Sequence, residues 1–136
     1  MSEEETKRER GLRVLKEMGW GENPMAPVKA ADPDFWGMTV DNLFGEVWGR
    51  PGLSLRDREM VTMATLIALD RARGLRPHLE RAGGVGITPE EIKEIIIQVM
   101  YYAGWSTGAH AMFAFSEIQA ARKAAEEAAK KDKPEG

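Results

Sequence analysis

The chain has no cysteine in 136 residues. That excludes disulfides, thiolate nucleophiles and zinc–thiolate sites. Histidine occurs only twice, as His78 and His110. Neither lies in an HExxH or at ligand spacing from an Asp/Glu cluster, so no metal is expected. Aromatics make up only 7% of residues, and Phe35, Trp36, Phe44 and Trp48 suit a core better than a platform for stacking bases. Neither sign of charge dominates. A net charge of −3 gives no global field for nucleic acid or an anionic membrane. No apolar run approaches a membrane span. The opening "MSEEETKRERG" lacks the apolar stretch of a secretory signal, so a cytoplasmic location is expected. "GGVG" is not a phosphate loop, and no GxSxG elbow supports a serine hydrolase.

Hydrophobic residues make up 43% of the chain and charged residues 30%, an ordinary globular balance. The length suits a single domain over 1–136 with a real core, frayed over 1–7 and 128–136. Arginines gather at Arg50, Arg56, Arg58, Arg71, Arg73, Arg76 and Arg81, which leaves room for a local anion site.

Helical periodicity dominates, and strand signals are poor. Residues 3–18 read as a charged amphipathic helix ended by Gly19 and Gly21. "GENPMAPVKAADP" reads as a connector. Asp32 or Asp34 then caps a helix through "FWGMTVDNLFGEVWG". Ser54, with Asp57 three residues on, starts a helix that is apolar on nearly all sides and ends at Gly74. A short helix, "LRPHLERAG", follows, with Pro77 in its first turn. Thr88-Pro89-Glu90-Glu91 starts another, with a capping threonine, a first-position proline and a third-position glutamate. Gly104 breaks that helix. Ser106 is the expected cap of the last one, whose alanine-rich end projects or frays. The sum is an all-α domain of about six helices. Two helices apolar nearly all round are too many for a solitary bundle of this size to cover, so a homo-oligomer is expected.

Few side chains remain for chemistry. On a 100° wheel Asp70 lies about 20° from Glu59, on a stripe with Met63 and Leu66. A carboxylate there is costly unless paired or protonated. The plainer reading has Glu59 complementing the helix dipole and reaching water. His78 shares a stripe with Leu75, Leu79 and Ala82. His110 shares a face with Phe113, Ala114 and Glu117. Each reads either as a satisfied packing residue or as a proton-transfer group.

"GEVWGRPGLSLRDRE", "HLERAGGVGITPEEI" and "YAGWSTGAH" resemble segments of the carboxymuconolactone decarboxylase family, and the resemblance covers roughly residues 8–120. It implies an alkyl hydroperoxidase D-like helical bundle that assembles as a trimer or hexamer. It also implies a cofactor-free lyase of aromatic-acid catabolism. The sister peroxidase branch carries a glutamate, a CxxC and a histidine. Glu59 and His78 fall where that glutamate and histidine would, while Arg71 and Gly74 fall where the cysteines would. Thiol peroxidase activity is therefore excluded. The resemblance further implies 4-carboxymuconolactone as substrate, with a dienolate left after loss of CO2. His78 then serves as general acid or oxyanion donor, and Glu59 orients it or relays the proton. His110 touches the substrate, Arg71 and Arg50 hold its carboxylates, and Trp48 or Trp105 shields it from water. Two other readings stay open: another proton-transfer enzyme using the same pair, and a non-catalytic helical oligomer that binds a ligand or partner.

Overall fold

Thr6 starts the first helix. Its hydroxyl accepts from the Glu9 amide at 3.1 Å, and the Glu9 carboxylate accepts from the Thr6 amide at 2.8 Å. This reciprocal box satisfies two otherwise orphaned donors and sets α1 at Lys7–Glu17 rather than from residue 3. The computed structural model describes residues 3–132. Part of the fraying expected over 1–7 and 128–136 thus lies outside the described residues. Among the described residues the chain is all-helical, and it groups into two compact units, 3–60 with 81–87 and 61–80 with 88–132.

In the first unit, the expected connector contains a short helix, α2 (Ala26–Ala31), with Pro27 in its first turn. A proline suits a helix start because its missing amide hydrogen has no partner there anyway. Asp32 caps α3 (Pro33–Met38) by accepting from the Phe35 amide at 3.0 Å. The chain then widens into a π-helix over Thr39–Trp48. Trp36, Val40, Phe44 and Trp48 recur every fourth residue and are all buried. A repeat of four falls between the 3.6 residues per turn of an α-helix and the wider i→i+5 winding of a π-helix. Mixed winding therefore keeps the four on one side. They close a core with Val14 and Leu15 of α1 and with Met18, its C-cap. Two glycines let the backbones meet: a Cβ on Gly11 would collide with the Val40 carbonyl, and one on Gly45 with the Lys7 carbonyl. Around this contact Lys7 pairs with Glu46 and Arg8 with Asp41. A 3₁₀ turn at Ala82–Val85 completes the unit.

Ser54 starts α4 (Leu55–Ala68) as expected, accepting from the Asp57 amide at 3.0 Å. The helix stops earlier than Gly74. Asp70 takes a left-handed φ of 55°, its amide bonds to Ile67 O at 3.0 Å, and the Arg71 amide bonds to Leu66 O at 2.8 Å. Those two bonds form a Schellman stop. Gly74 consequently lies inside α5 (Ala72–Arg81), and Pro77 sits beyond its first turn. Near the end of α5 the Arg122 guanidinium donates to the Glu80 carbonyl at 2.6 Å. Thr88 caps α6 (Pro89–Ala103) with the full reciprocal box to Glu91. The cap of α7 (Trp105–Lys131) is Gly104, not Ser106. Its φ of 130° is a conformation that glycine alone adopts readily. Gly108 meets Met100 of α6 so closely that a Cβ would lie 2.6 Å from the methionine Cβ. Residues 123–132 at the end of α7 are exposed.

Candidate active site

Glu59 heads the buried stripe of α4, followed by Met63 and Ile67, and is only 2% exposed. The plainer reading, a first-turn carboxylate reaching water, is therefore not what the fold provides. A carboxylate so deep is retained only with compensating partners. Asp70, expected on the same stripe, leaves it because α4 ends at Ala68. His78 lies on α5 and is half-buried, between the buried Leu75 and Leu79.

The second unit gathers more of the chemistry. A groove of about 710 Å³ is lined by Leu66, Leu69, Asp70, Arg71, Ala72, Arg73 and Gly74. Arg71 and Gly74, the two positions at which the peroxidase branch would carry cysteine, both border it. A second groove, of about 390 Å³, is lined by Arg73, Arg76, His110, Phe113 and Glu117 among others. The wheel face of His110, Phe113, Ala114 and Glu117 thus borders one space. His110 Nδ1 lies 2.8 Å from Asp70 Oδ1, joining the last helix to the α4 stop. Arg76 is taken up by Glu117 at 2.8 Å and Glu80 at 3.5 Å. Arg73 makes no ion pair or side-chain hydrogen bond among the described residues.

The remaining expected residues are spread more widely. Arg50 is exposed just after the π-helix, and its carbonyl accepts from the Arg58 guanidinium at 3.1 Å. Trp48 is in the core of the first unit, 5.8 Å between ring centroids from Phe44. Trp105 is 72% exposed at the start of α7. The reading from sequence missed Asp70 as a partner of His110 and missed Arg73 as the arginine common to both grooves. The signal for Asp70 is a non-glycine at a helix stop, visible only once that stop is placed. Among the described residues no helix is long and apolar enough to cross a membrane.

Comparison with known proteins gives a consistent picture. The model of the carboxymuconolactone decarboxylase family matches residues 33–127. A 4-carboxymuconolactone decarboxylase of Acinetobacter baylyi is 40% identical over 85 residues, covering 62% of this chain and 63% of that protein. A nitrosuccinic acid decarboxylase of Metarhizium robertsii is 32% identical over 69 residues, covering 51% of this chain and 48% of that protein. The matched stretches therefore span between about half and just under two thirds of these relatives.

Proposed function

The chain belongs to the carboxymuconolactone decarboxylase family, and from that premise we propose that it is a cofactor-independent carboxy-lyase acting on a small dicarboxylate. The observation that carries this reading is the matched stretch itself. It includes the buried Glu59, His78, His110 and the arginine-lined grooves, with no cysteine for the sister redox chemistry. Both relatives are named for decarboxylation of acids that carry an electron sink, a conjugated lactone in one and a nitro group in the other.

The reaction needs three things from the protein. The carboxylates must be held, and the guanidinium of Arg71 or Arg50 offers two parallel donors for that. As the C–CO2 bond breaks, its electron pair moves into the conjugated system, leaving negative charge on the lactone oxygen that a nearby donor must stabilise. One proton must then reach carbon, replacing the CO2 lost. His78 is assigned that delivery, since imidazole gives and takes protons near neutral pH, with Glu59 orienting it. The substrate is its own electron sink, so the step asks for no organic cofactor.

Active copies are proposed to assemble as homo-oligomers, a trimer or hexamer. Tyr101, Tyr102 and Trp105 are 80%, 87% and 72% exposed on the single chain, more apolar surface than a lone subunit ordinarily leaves in water.

The test is an ultraviolet assay with 4-carboxymuconolactone and, in parallel, nitrosuccinate, using the wild type and His78→Ala. Turnover is expected on one of them, falling by roughly a hundredfold or more in the variant, as for loss of a general acid. Undiminished turnover in His78→Ala would remove the proposed acid, and no turnover on either compound would remove the substrate class.

A further inference from the structure

We propose that Asp70 is a positioning residue that fixes the tautomer of His110, so that the groove holding Arg73 receives a small carboxylate beside one committed imidazole nitrogen. The inference rests on the decarboxylase reading for the reaction it serves, but its geometry stands apart from Glu59 and His78.

Two independent features of Asp70 lead here. The first is its backbone. Asp70 occupies the left-handed position of a Schellman stop, φ 55°, where glycine is the ordinary choice and aspartate is one of the few side chains tolerated. Both hydrogen bonds of that stop are made by main-chain amides, so nothing local calls for a carboxylate. A carboxylate where glycine would serve the turn as well leaves its side chain free for another role. The second feature supplies that role, because Oδ1 lies 2.8 Å from His110 Nδ1, 40 residues away in sequence.

The chemistry of the pair follows from what each atom can do. An ionised carboxylate only accepts hydrogen bonds, so Nδ1 must carry the hydrogen. The neutral ring then has its lone pair on Nε2, and Nε2 is the nitrogen left to exchange a proton with a ligand. His110 borders the groove that also contains Arg73. Of the two arginines there, Arg76 is already held by Glu117 and Glu80. Arg73 is uncommitted among the described residues and also borders the neighbouring groove with Asp70 and Arg71. A guanidinium with no anion of its own, next to an oriented imidazole, fits a carboxylate ligand.

The experiment uses the full-length protein in three forms: wild type, Asp70→Gly and Arg73→Gln. Long-range proton–nitrogen NMR at about pH 8.5, where free imidazole is neutral, reads the His110 tautomer. The wild type is expected to show hydrogen on Nδ1, and Asp70→Gly to shift it toward Nε2. Glycine suits φ 55°, so Asp70→Gly should melt at or above the wild-type temperature while losing roughly tenfold or more in kcat on the accepted substrate. Succinate, as a probe, should move the His110 ring resonances in the wild type and leave them still in Arg73→Gln. The proposal is overturned if the tautomer is the same with and without Asp70, or if Asp70→Gly melts well below wild type. It is also overturned if kcat survives that change, or if succinate acts equally without Arg73. A wild type inactive on both assay compounds would count against the proposed substrates alone, because the tautomer and succinate measurements decide this inference without turnover.

Discussion

In unit 1 most of the large aromatics face inward: Trp36, Phe44 and Trp48 are 4%, 4% and 5% exposed, and Phe35, at 58%, is the exception. In unit 2 the core is mainly aliphatic, built on Met63, Ile67, Leu75, Leu79, Ile92 and Ile96, and most of the aromatics lie outside. Tyr101, Tyr102, Trp105 and Phe113 are all more than two-thirds exposed. The titratable groups follow the same division. Unit 1 commits several of its charges to surface pairs that brace α1 on the π-helix, and it also buries Glu59. Unit 2 holds both histidines, the Asp70 contact and the uncommitted Arg73. One unit has thus spent most of its aromatic surface on internal packing, worth about 1.5–3 kcal/mol per large side chain. The other keeps that surface in water beside its reactive groups, which supports the proposed assembly through unit 2.

Three changes would break or sharpen this contrast. Phe44→Ala should cost the most, about 3–5 kcal/mol, because it empties a packed aromatic site; urea unfolding measures it, and a loss under 1 kcal/mol would mean the unit 1 core is poorly filled. Next, Tyr102→Ser combined with Trp105→Ser should leave that core intact and reduce the assembly toward a 15.1 kDa single chain. Sedimentation velocity reads the mass, and an unchanged oligomer would take these aromatics out of the interface. The smallest effect concerns Asp41. A hydrogen bond from Arg8 is the main cause holding its carboxyl below the usual range; burial opposes this, and the charges of Arg8 and Lys7 add to it. A depressed folded-state pKa stabilises above the unfolded value, near pH 4, and that contribution is lost as pH falls through the folded value. Asp41→Asn should therefore flatten the acid side of the stability profile slightly, and identical urea midpoints between about pH 2 and 5 would show the pair to be idle.

What could be read from sequence was local. Asp32, Ser54 and Thr88 cap their helices as their side chains suggest, because a cap needs only a hydroxyl or carboxylate three residues from an amide. Thr6 and Glu9 carry the same signature, yet the charged residues before them extend the helical pattern and hide the start. The winding of the π-helix was not legible, since a four-residue repeat is compatible with either ladder until α1 is docked on it. Gly74 and Asp70 show a prior losing to tertiary structure: glycine is the usual stop, and the chain stops on aspartate instead. The site divides the same way. Helical spacing placed His110 with Phe113, Ala114 and Glu117, while the Asp70 contact spans 40 residues and no periodicity reports it. Glu59 and His78 stand out on their apolar stripes by helical spacing, and only the family likeness pairs them.

The family match begins at residue 33, whereas α1 ends at Glu17 and contributes Val14 and Leu15 to the core that Phe44 and Trp48 share. A polypeptide trimmed to the family boundary would therefore carry an apolar cleft shaped for one missing amphipathic helix. Supplied separately, residues 3–20 would behave toward it as a ligand, raising its stability with the logarithm of peptide concentration. The leading helix is in that sense a tethered cofactor for folding, and fragment complementation is the phenomenon it makes available.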